Sequence, residues 1–258
     1  MKTHSSLSQA LLLFLVLKLL ADAVHCQKHY KNQRRKRDWV IPAIKLVENV
    51  DYTKDQFIAR IGSDVGDNLR YTLKGPGADQ PPYNLFVVDE NTGKVRITGI
   101  LDREDISSYK LVGVGWYRNN TIAEEAINLP FEVGDQNDNP PVFINPQPAS
   151  VYEGSPVGTF VTTVNATDAD LPNSAHTKIA FSIIKQEPDG KQFFSINKQT
   201  GCISVKDSSL DRETQNSYVL TIKATDMDGA PDGNTATTTV KIHILDINDN
   251  MPTLEKDE

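Results

Sequence analysis

Two segments rich in oxygen-bearing side chains contain the residues best suited to chemistry. The segment 135–141 reads Asp-Gln-Asn-Asp-Asn-Pro-Pro, and residues 246–252 read Asp-Ile-Asn-Asp-Asn-Met-Pro. Asn and Asp favour turns over helix and strand, and Pro cannot donate a hydrogen bond to a sheet. Carboxylate and amide oxygens are the ligands that Ca2+ prefers. The sequence therefore predicts an ordered, cation-binding linker that recurs after 111 residues, about the length of one small domain.

Further landmarks recur in the same order ahead of each linker copy. Glu48 matches Glu153, Asn-Thr-Gly at 91–93 matches Gln-Thr-Gly at 199–201, and Leu-Asp-Arg-Glu occurs at both 101–104 and 210–213. The offsets of 105, 108 and 109 residues drift slowly towards 111, as loop insertions would cause. An internal repeat of this length predicts two tandem domains, at 38–141 and 142–252.

The second unit has acidic pairs without a full counterpart in the first, at 168–170 (Asp-Ala-Asp) and 226–228 (Asp-Met-Asp). Gathering the carboxylates of both units in one place would be strongly repulsive without a cation. Ca2+ resolves this because it accepts about six to eight oxygens in flexible geometry, whereas Mg2+ holds its water. The residues concerned are Glu48, Asp102, Glu104, Asp138, Asp168, Asp170 and Asp226.

An enzymatic interpretation of the acidic residues is the main alternative. A pair such as Asp102 and Glu104 could serve acid–base hydrolysis. The acidic residues instead recur at domain ends in register with the repeat, and no His, Ser or Cys constellation accompanies them. We therefore predict a binding protein and not an enzyme. The net charge of −7 and pI near 5.3 argue against a nucleic-acid partner, which would require a basic face.

The N-terminal residues have the features of secretory processing. Lys2 precedes an apolar run at 10–20 and the small residues Ala21 and Ala23, which predicts a signal peptide at 1–23. A membrane anchor is the alternative, but the run is too short to span a bilayer. Four consecutive basic residues at 34–37 are typical of a furin-type site with cleavage after Arg37, so that 24–37 is a short propeptide. Residues 253–258 would begin whatever follows the second domain.

The chain has two cysteines, Cys26 and Cys202. Cys26 precedes the predicted mature start, so no internal disulfide is expected, and bound metal would take the place of the disulfides that small secreted domains usually need. We interpret Cys202 as a small buried strand residue and not as a reactive thiol.

The elements that position these residues are predicted to be strands. Short alternating or apolar runs are separated by turn residues, and no sustained helical period follows the signal, which is typical of a β-sandwich and makes the fold all-β. The predicted strands are 40–47, 69–73, 84–88, 94–98, 109–117 and 127–133 in the first unit, and 151–152, 159–166, 179–184, 193–196, 202–205, 218–224 and 236–244 in the second.

The repeated L-D-R-E, D-x-N-D-N-x-P and D-A-D elements resemble the extracellular repeats of cadherins, from residue 38 to about 252. The resemblance implies two Greek-key β-sandwiches joined by a linker that binds three Ca2+ ions. The implied ligands at this junction are Glu48, Asp102, Glu104, Gln136, Asn137, Asp138, Asn139, Asp168, Asp170, His176 and Asp226. Gln136 and Asn139 would offer backbone oxygens, and His176 would offer its carbonyl where the family often has Asn.

The second junction is only half present in this chain. The residues that the resemblance assigns to it are Glu153, Asp211, Glu213, Asn248, Asp249 and Asn250. No third repeat follows to complete the ligand set, so we expect weak or partial Ca2+ occupancy there.

The predicted mature N-terminus, Asp38-Trp39, resembles the adhesion arm of cadherins, whose Trp inserts into a pocket of a partner repeat. The resemblance implies that Glu124 pairs with the new amino group and that Gly113 and Gly115 leave room for the indole. Many relatives have His-Ala-Val where this chain has Val-Gly-Trp at 114–116, so that tripeptide does not indicate the partner. Packing of Trp39 in its own domain is the competing closed state.

The resemblance implies calcium-dependent cell–cell adhesion by exchange of Trp39 with another cadherin ectodomain, homophilic or heterophilic, at a plasma-membrane junction. Membrane contact would come only through segments outside this chain, and the fragment alone would be secreted. The short segment 24–37 resembles desmogleins, which favours a desmosomal cadherin, whereas the Asp-Trp-Val-Ile-Pro start resembles the adherens-junction type. A soluble decoy is a further alternative. Asn119 and Asn165 are predicted N-glycan acceptors.

Overall fold

The computed structural model describes residues 43–63 and 68–251, and leaves the side chains of 124–126 undescribed. The described residues form sixteen strands and two short 3-10 helices, the latter at Tyr52–Lys54 and Met227–Gly229. The strands are β1 (Ile44–Val47), β2 (Ala59–Arg60), β3 (Arg70–Lys74), β4 (Phe86–Val88), β5 (Lys94–Ile97), β6 (Ser108–Trp116), β7 (Ile122–Gly134), β8 (Val142–Phe143), β9 (Ala149–Tyr152), β10 (Phe160–Thr163), β11 (Ala166–Thr167), β12 (Ala180–Glu187), β13 (Phe194–Ile196), β14 (Cys202–Val205), β15 (Ser217–Thr225) and β16 (Thr235–Leu245).

The strands form two sandwiches with the same plan. The first has a four-stranded sheet of order β1-β7-β6-β3 and a three-stranded sheet of order β2-β5-β4. The second has the sheets β12-β15-β16-β9 and β10-β14-β13, with β8 and β11 as an additional short pair. In each sandwich the first strand of the larger sheet lies parallel to the last, β1 beside β7 and β9 beside β16. The predicted all-β fold of two tandem sandwiches is confirmed.

Alternation along the strands places one face of each sheet in a core. In β15 every second residue is buried, from Tyr218 through Leu220 and Ile222 to Ala224. The rings of Phe86 and Phe131 pack in the core of the first sandwich, with centroids 5.0 Å apart. Each such large apolar side chain contributes about 1.5–3 kcal/mol to folding stability on burial. The two cores therefore stabilise the sandwiches from whose ends the acidic loops extend.

A glycine closes the same turn in both sandwiches. Gly93 and Gly201 have φ of +69° and +65°, a left-handed backbone that favours glycine. A Cβ added there would lie 2.1 Å from the carbonyl oxygen of Ile61 or 2.2 Å from that of Val164. The recurring Thr-Gly pair therefore marks a position where a second backbone segment approaches too closely for any side chain.

Two strands, β2 and β8, were not predicted from the sequence, and one predicted strand corresponds to two strands of the structure. β2 and β8 have two residues each, too few for an alternation to be seen. The predicted strand at 159–166 divides into β10 and β11, because β10 pairs with β14 whereas β11 pairs with β8 in a separate two-stranded sheet. Cys202 does lie on a strand, but it is half-buried, since the alternation of β14 directs Ile203 and Val205 into the core.

Candidate metal centre

A buried glutamate organises the end of each sandwich. Glu48 is fully buried, and its two carboxylate oxygens accept the backbone N–H groups of Arg103 at 2.6 Å and Gln136 at 2.7 Å. Glu153 accepts the N–H groups of Arg212 at 2.8 Å and Ile247 at 2.6 Å in the same way. The glutamate thus fastens the L-D-R-E loop and the linker to one point, which explains why these three elements recur together in the sequence.

The first junction collects carboxylates from both sandwiches and the linker. Three groups of acidic residues have one ligand oxygen each within 4.8 Å of one another, and Glu104 and Asp170 each belong to two of them, so that the groups are continuous. The groups are Glu48, Asp102 and Glu104; Glu104, Asp135 and Asp170; and Asp168, Asp170 and Asp226. Six acidic residues of the predicted ligand set are therefore brought together.

Unpaired buried oxygens test whether this site fits a cation. Within residues 43–63 and 68–251, five buried side-chain oxygens have no hydrogen-bond partner: Asn137 Oδ1, Asp168 Oδ2, Asp170 Oδ2, and both Oδ atoms of Asp226. An unpaired buried acceptor is costly, and a buried unpaired charge is more so. All five oxygens belong to residues of the predicted ligand set, and an oxygen-only donor set is what Ca2+ binds. The residues present therefore fit a hard divalent cation.

Electrostatics at this junction indicate the same requirement. Burial raises the pKa of the Glu104 carboxyl, and the neighbouring charge of Glu48 raises it further. Burial also raises the pKa of Asp168, with repulsion from Asp170 and Asp226 adding to it. A raised pKa means that ionisation of these groups is unfavourable in the protein alone. A bound cation would stabilise the ionised forms.

The remaining predicted linker ligands have protein partners in the structure. Asp138 accepts hydrogen bonds from the side-chain amides of Asn49 at 2.5 Å and Asn139 at 2.9 Å. The Gln136 side chain donates to the Glu48 carbonyl at 2.8 Å, and the Asn137 carbonyl accepts from Asn234 Nδ2 at 3.0 Å. These residues lie in the junction, but the acidic groups found within the described part of the chain do not include Asp138.

Asp135 was missed as a candidate ligand by the sequence reasoning. Its side chain is 6% exposed and lies in the middle acidic group, with Glu104 and Asp170. His176, predicted to offer its carbonyl, also places ring Nδ1 2.6 Å from Asp135 Oδ2. The available signal was the position of Asp135 as the first letter of the linker motif, a position that Asp246 occupies in the copy.

The second junction is open to solvent. Glu153, Glu213 and Asp246 form an acidic group, of which Glu213 and Asp246 are exposed. Asp211 accepts from Thr214 Oγ1 at 2.7 Å, and Asn250 Nδ2 donates to Asp249 at 3.1 Å. Asn248, Asp249 and Asn250 are all exposed. Here the N–H groups of Ile247 and Arg212 lower the pKa of Glu153, opposite to the shifts at the first junction.

The predicted adhesion residues are only partly described. Arg37, Asp38 and Trp39 lie outside the described residues, as does the side chain of Glu124. At Gly113 an added Cβ would lie 2.7 Å from the side chain of Ile61, which is 1% exposed. The same Cβ at Gly115 would make only ordinary contacts, the nearest at 3.7 Å. The space beside Gly113 is therefore filled by Ile61.

Both predicted glycan acceptors are exposed. Asn119 lies in the turn between β6 and β7, where its Oδ1 accepts from the N–H of Thr121 at 3.0 Å. Asn165 lies between β10 and β11. Within the described part of the chain, no helix is long and apolar enough to cross a membrane.

Comparisons with known proteins agree with this architecture. A family model described as "Cadherin domain" matches residues 147–245. Desmoglein-1 of Homo sapiens is 40% identical over 232 residues, and desmoglein-1-gamma of Mus musculus is 39% identical over the same number. Each alignment covers 89% of this chain, but only 22% and 26% of the respective relative. The chain thus spans about a quarter of the length of these curated relatives.

Solved structures cover both sandwiches. The human desmocollin-1 ectodomain has a TM-score of 0.72 and 35% identity, with 82% of this chain and 40% of that chain covered. The two-repeat structure of chicken VE-cadherin EC1-2 has a TM-score of 0.64 and 32% identity, with 81% of this chain and all of that chain covered.

Proposed function

The chain belongs to the cadherin family, and on that premise we propose that its two repeats, 38–141 and 142–252, act in calcium-dependent cell–cell adhesion. The observation that carries the proposal is the set of unpaired buried oxygens on Asn137, Asp168, Asp170 and Asp226. They lie where the two repeats and the linker meet, so a cation bound there would join all three. The family consists of adhesion proteins, which agrees with the prediction that the chain is not an enzyme.

Calcium would act as a lock on the linker. We propose three Ca2+ ions at this junction, held by the eleven predicted ligands, with Asp135 as an additional candidate. Burial and neighbouring carboxylates raise the pKa of Glu104 and Asp168. The cation would supply a nearby positive charge that stabilises the ionised form of both. Binding only to the folded, aligned junction would stabilise the repeats and restrict their relative motion by mass action.

Removal of the metal tests this proposal directly. In EDTA we expect a lower melting temperature and, by small-angle scattering, a broader distribution of inter-repeat distances. Excess Ca2+ should restore both quantities, whereas the same concentration of Mg2+ should not, because Mg2+ requires a stricter octahedral geometry. Melting and scattering that are unchanged by EDTA would refute the metal assignment.

Adhesion itself would come from the N-terminal arm. We propose that cleavage after Arg37 frees Asp38-Trp39, that Trp39 inserts into the first repeat of an opposed cadherin ectodomain beside Gly115, and that Glu124 binds the new amino group. Because each exchanged contact competes with the closed state, single pairs would be weak and arrays strong. The partner is homophilic or heterophilic, and the similarity to desmogleins and desmocollin-1 favours a desmosomal site on the cell surface.

Bead aggregation tests the arm. We expect beads coated with the furin-cleaved, Ca2+-loaded chain to aggregate, and Trp39→Ala to abolish aggregation without changing the melting temperature. Phe160→Ala is the matched control, because Phe160 is an aromatic residue that is 61% exposed in the second repeat. Trp39→Ala beads that aggregate as well as the Phe160→Ala beads would rule out the exchange.

A further inference from the structure

Arg103 is a buried cation inside the acidic junction. Its side chain is only 9% exposed, and its Nε donates to Asp135 Oδ1 at 2.6 Å. One terminal nitrogen pairs with Glu104 and donates to the backbone carbonyl of Ala169 at 3.0 Å. A guanidinium stays protonated in proteins, so the side chain keeps its positive charge in this buried position. The guanidinium is therefore a fixed positive charge in contact with two candidate ligands.

The contact with Ala169 crosses from the first repeat to the second. Ala169 lies in the D-A-D loop, between the candidate ligands Asp168 and Asp170. The Asp135 oxygen that accepts from Arg103 also accepts the N–H of Leu171 at 2.9 Å. Arg103 and Asp135 thus hold the backbone on both sides of Asp170 by protein hydrogen bonds alone.

The equivalent residue of the second repeat, Arg212, lacks this arrangement. It makes the two local contacts, Nε to Asp246 at 3.1 Å and a terminal nitrogen to Glu213 at 2.8 Å. Its side chain is 40% exposed, and within the described residues it makes no bond to a following domain. Within the described residues, Arg103 and Arg212 thus share their local contacts and differ in the Ala169 carbonyl that Arg103 alone reaches.

We propose that Arg103 is the positioning residue of the calcium junction, because it orients Glu104 and Asp135 for the cation. When no cation is bound, Arg103 also clamps the D-A-D loop to the first repeat. The orienting role rests on the proposed calcium junction, whereas the clamp does not. A lysine cannot replace it, since a single ammonium lacks the planar fork that reaches carboxylates and a carbonyl together. Residues that orient metal ligands without touching the metal commonly determine affinity.

Paired arginine-to-lysine variants test this role in the secreted chain. Arg103→Lys and Arg212→Lys keep the charge and the aliphatic stem, so they differ only in the junction that they affect. We expect Arg103→Lys to weaken Ca2+ binding, measured by chelator competition, by about tenfold or more. In EDTA we expect the Leu171 amide to exchange with deuterium about tenfold faster. Arg212→Lys should leave both quantities within about twofold of wild type.

The exchange of the Ile222 amide reports whether the fold is intact, because Ile222 is fully buried in the second repeat. It should be the same in both variants and in wild type. Equal Leu171 exchange in the two variants would overturn the clamp, and equal Ca2+ affinity would overturn the orienting role. If wild type does not respond to Ca2+, the proposed function fails, but the comparison in EDTA still decides the clamp.

Discussion

The linkers 135–141 and 246–252 share most of their letters, but the structure gives them different surroundings. At the first linker Asp170 and Asp226 are 1% and 0% exposed, and Asp170 Oδ2 and both Oδ atoms of Asp226 lack hydrogen-bond partners. At the second linker Asn248, Asp249 and Asn250 are exposed to solvent. The difference arises because, within the described residues, loops of the second repeat cover the first linker. A motif of this kind is half of a site, and its neighbour supplies the burial that leaves carboxylate oxygens without partners.

The two junctions also differ in the direction of their pKa shifts. Burial raises the pKa of Glu104 and Asp168 at the first junction. At the second, backbone N–H groups lower the pKa of Glu153, and the Thr214 hydroxyl lowers that of Asp211. Burial therefore opposes the ionisation of Glu104 and Asp168 at the first junction, whereas protein donors favour the ionisation of Glu153 and Asp211 at the second.

Asp226→Asn should give the largest effect, because Asp226 is fully buried and neither of its carboxylate oxygens has a partner. In Ca2+ at about 100 times the dissociation constant, we expect the variant to lose most of the stabilisation from the metal, about 3 kcal/mol. In EDTA we expect it to be as stable as wild type or more stable, since an unpaired buried charge is removed. Denaturant unfolding with and without Ca2+ measures both.

Asp249→Asn is the matched control for Asp226→Asn, because Asp249 is exposed at the second junction. It should leave the unfolding free energy and its calcium dependence close to those of wild type. Asp249→Asn and Asp226→Asn proteins with the same calcium dependence would mean that the two junctions do not differ.

Glu48→Gln and Glu153→Gln should give the next largest effects. A glutamine has one acceptor oxygen, so one buried backbone N–H loses its partner in each variant, at Arg103 or Gln136 in the first repeat. In EDTA we expect Glu48→Gln to cost about 1–3 kcal/mol and Glu153→Gln to be similar. In Ca2+ the cost of Glu48→Gln alone should increase. An equal increase for both variants would contradict the assignment of the metal to the first junction.

Much of the fold was predictable from the sequence because its strands alternate over several residues. Strands such as β6 and β15 have nine residues each and a clear alternation of burial. β2 and β8 have two residues each, and their existence depends on partners far along the chain. A local pattern cannot reveal a strand that is defined by its pairing.

Part of the candidate site was predictable because ligand residues recur from one repeat to the next, whereas the acidic pairs at 168–170 and 226–228 were found without a full counterpart. Glu48, Asp102 and Glu104 were found because each matches a residue one repeat later. The contact of Arg103 with Ala169 could not be found in this way, because Arg212 has the same neighbours in sequence. Only the proximity of the second repeat separates the two arginines.

Asn234→Ala should give a smaller effect at the first junction. The Asn234 side chain of the second repeat donates to the Asn137 carbonyl of the linker at 3.0 Å, a bond between neutral groups. We expect its loss to cost about 1 kcal/mol in Ca2+ and in EDTA alike. Asn216→Ala is the control, because Asn216 immediately precedes β15 and its backbone carbonyl, which the variant keeps, accepts from the N–H of Ile244. A cost for Asn234→Ala that appears only in Ca2+ would instead make Asn234 part of the metal shell.

The smallest expected effect is the dependence of folding stability on pH. In EDTA, the contributions of Asp168 at the first junction and Glu153 at the second should change with pH in opposite directions. Because the folded pKa of Asp168 is raised above 3.8, folding favours its protonated form, and stability is lost as pH rises through the folded pKa. Because the folded pKa of Glu153 is lowered below 4.5, its contribution to the free energy of unfolding is present above that value and is lost as pH falls through the folded pKa.

Carbon-detected NMR titration in EDTA should therefore give a pKa above 3.8 for the carboxyl of Asp168 and a pKa below 4.5 for that of Glu153. Added Ca2+ should lower the pKa of Asp168 below its value in EDTA, because a cation favours the ionised form. It should leave the pKa of Glu153 nearly unchanged. The same downward shift at both carboxyls would show that the cation does not distinguish the covered linker from the open one.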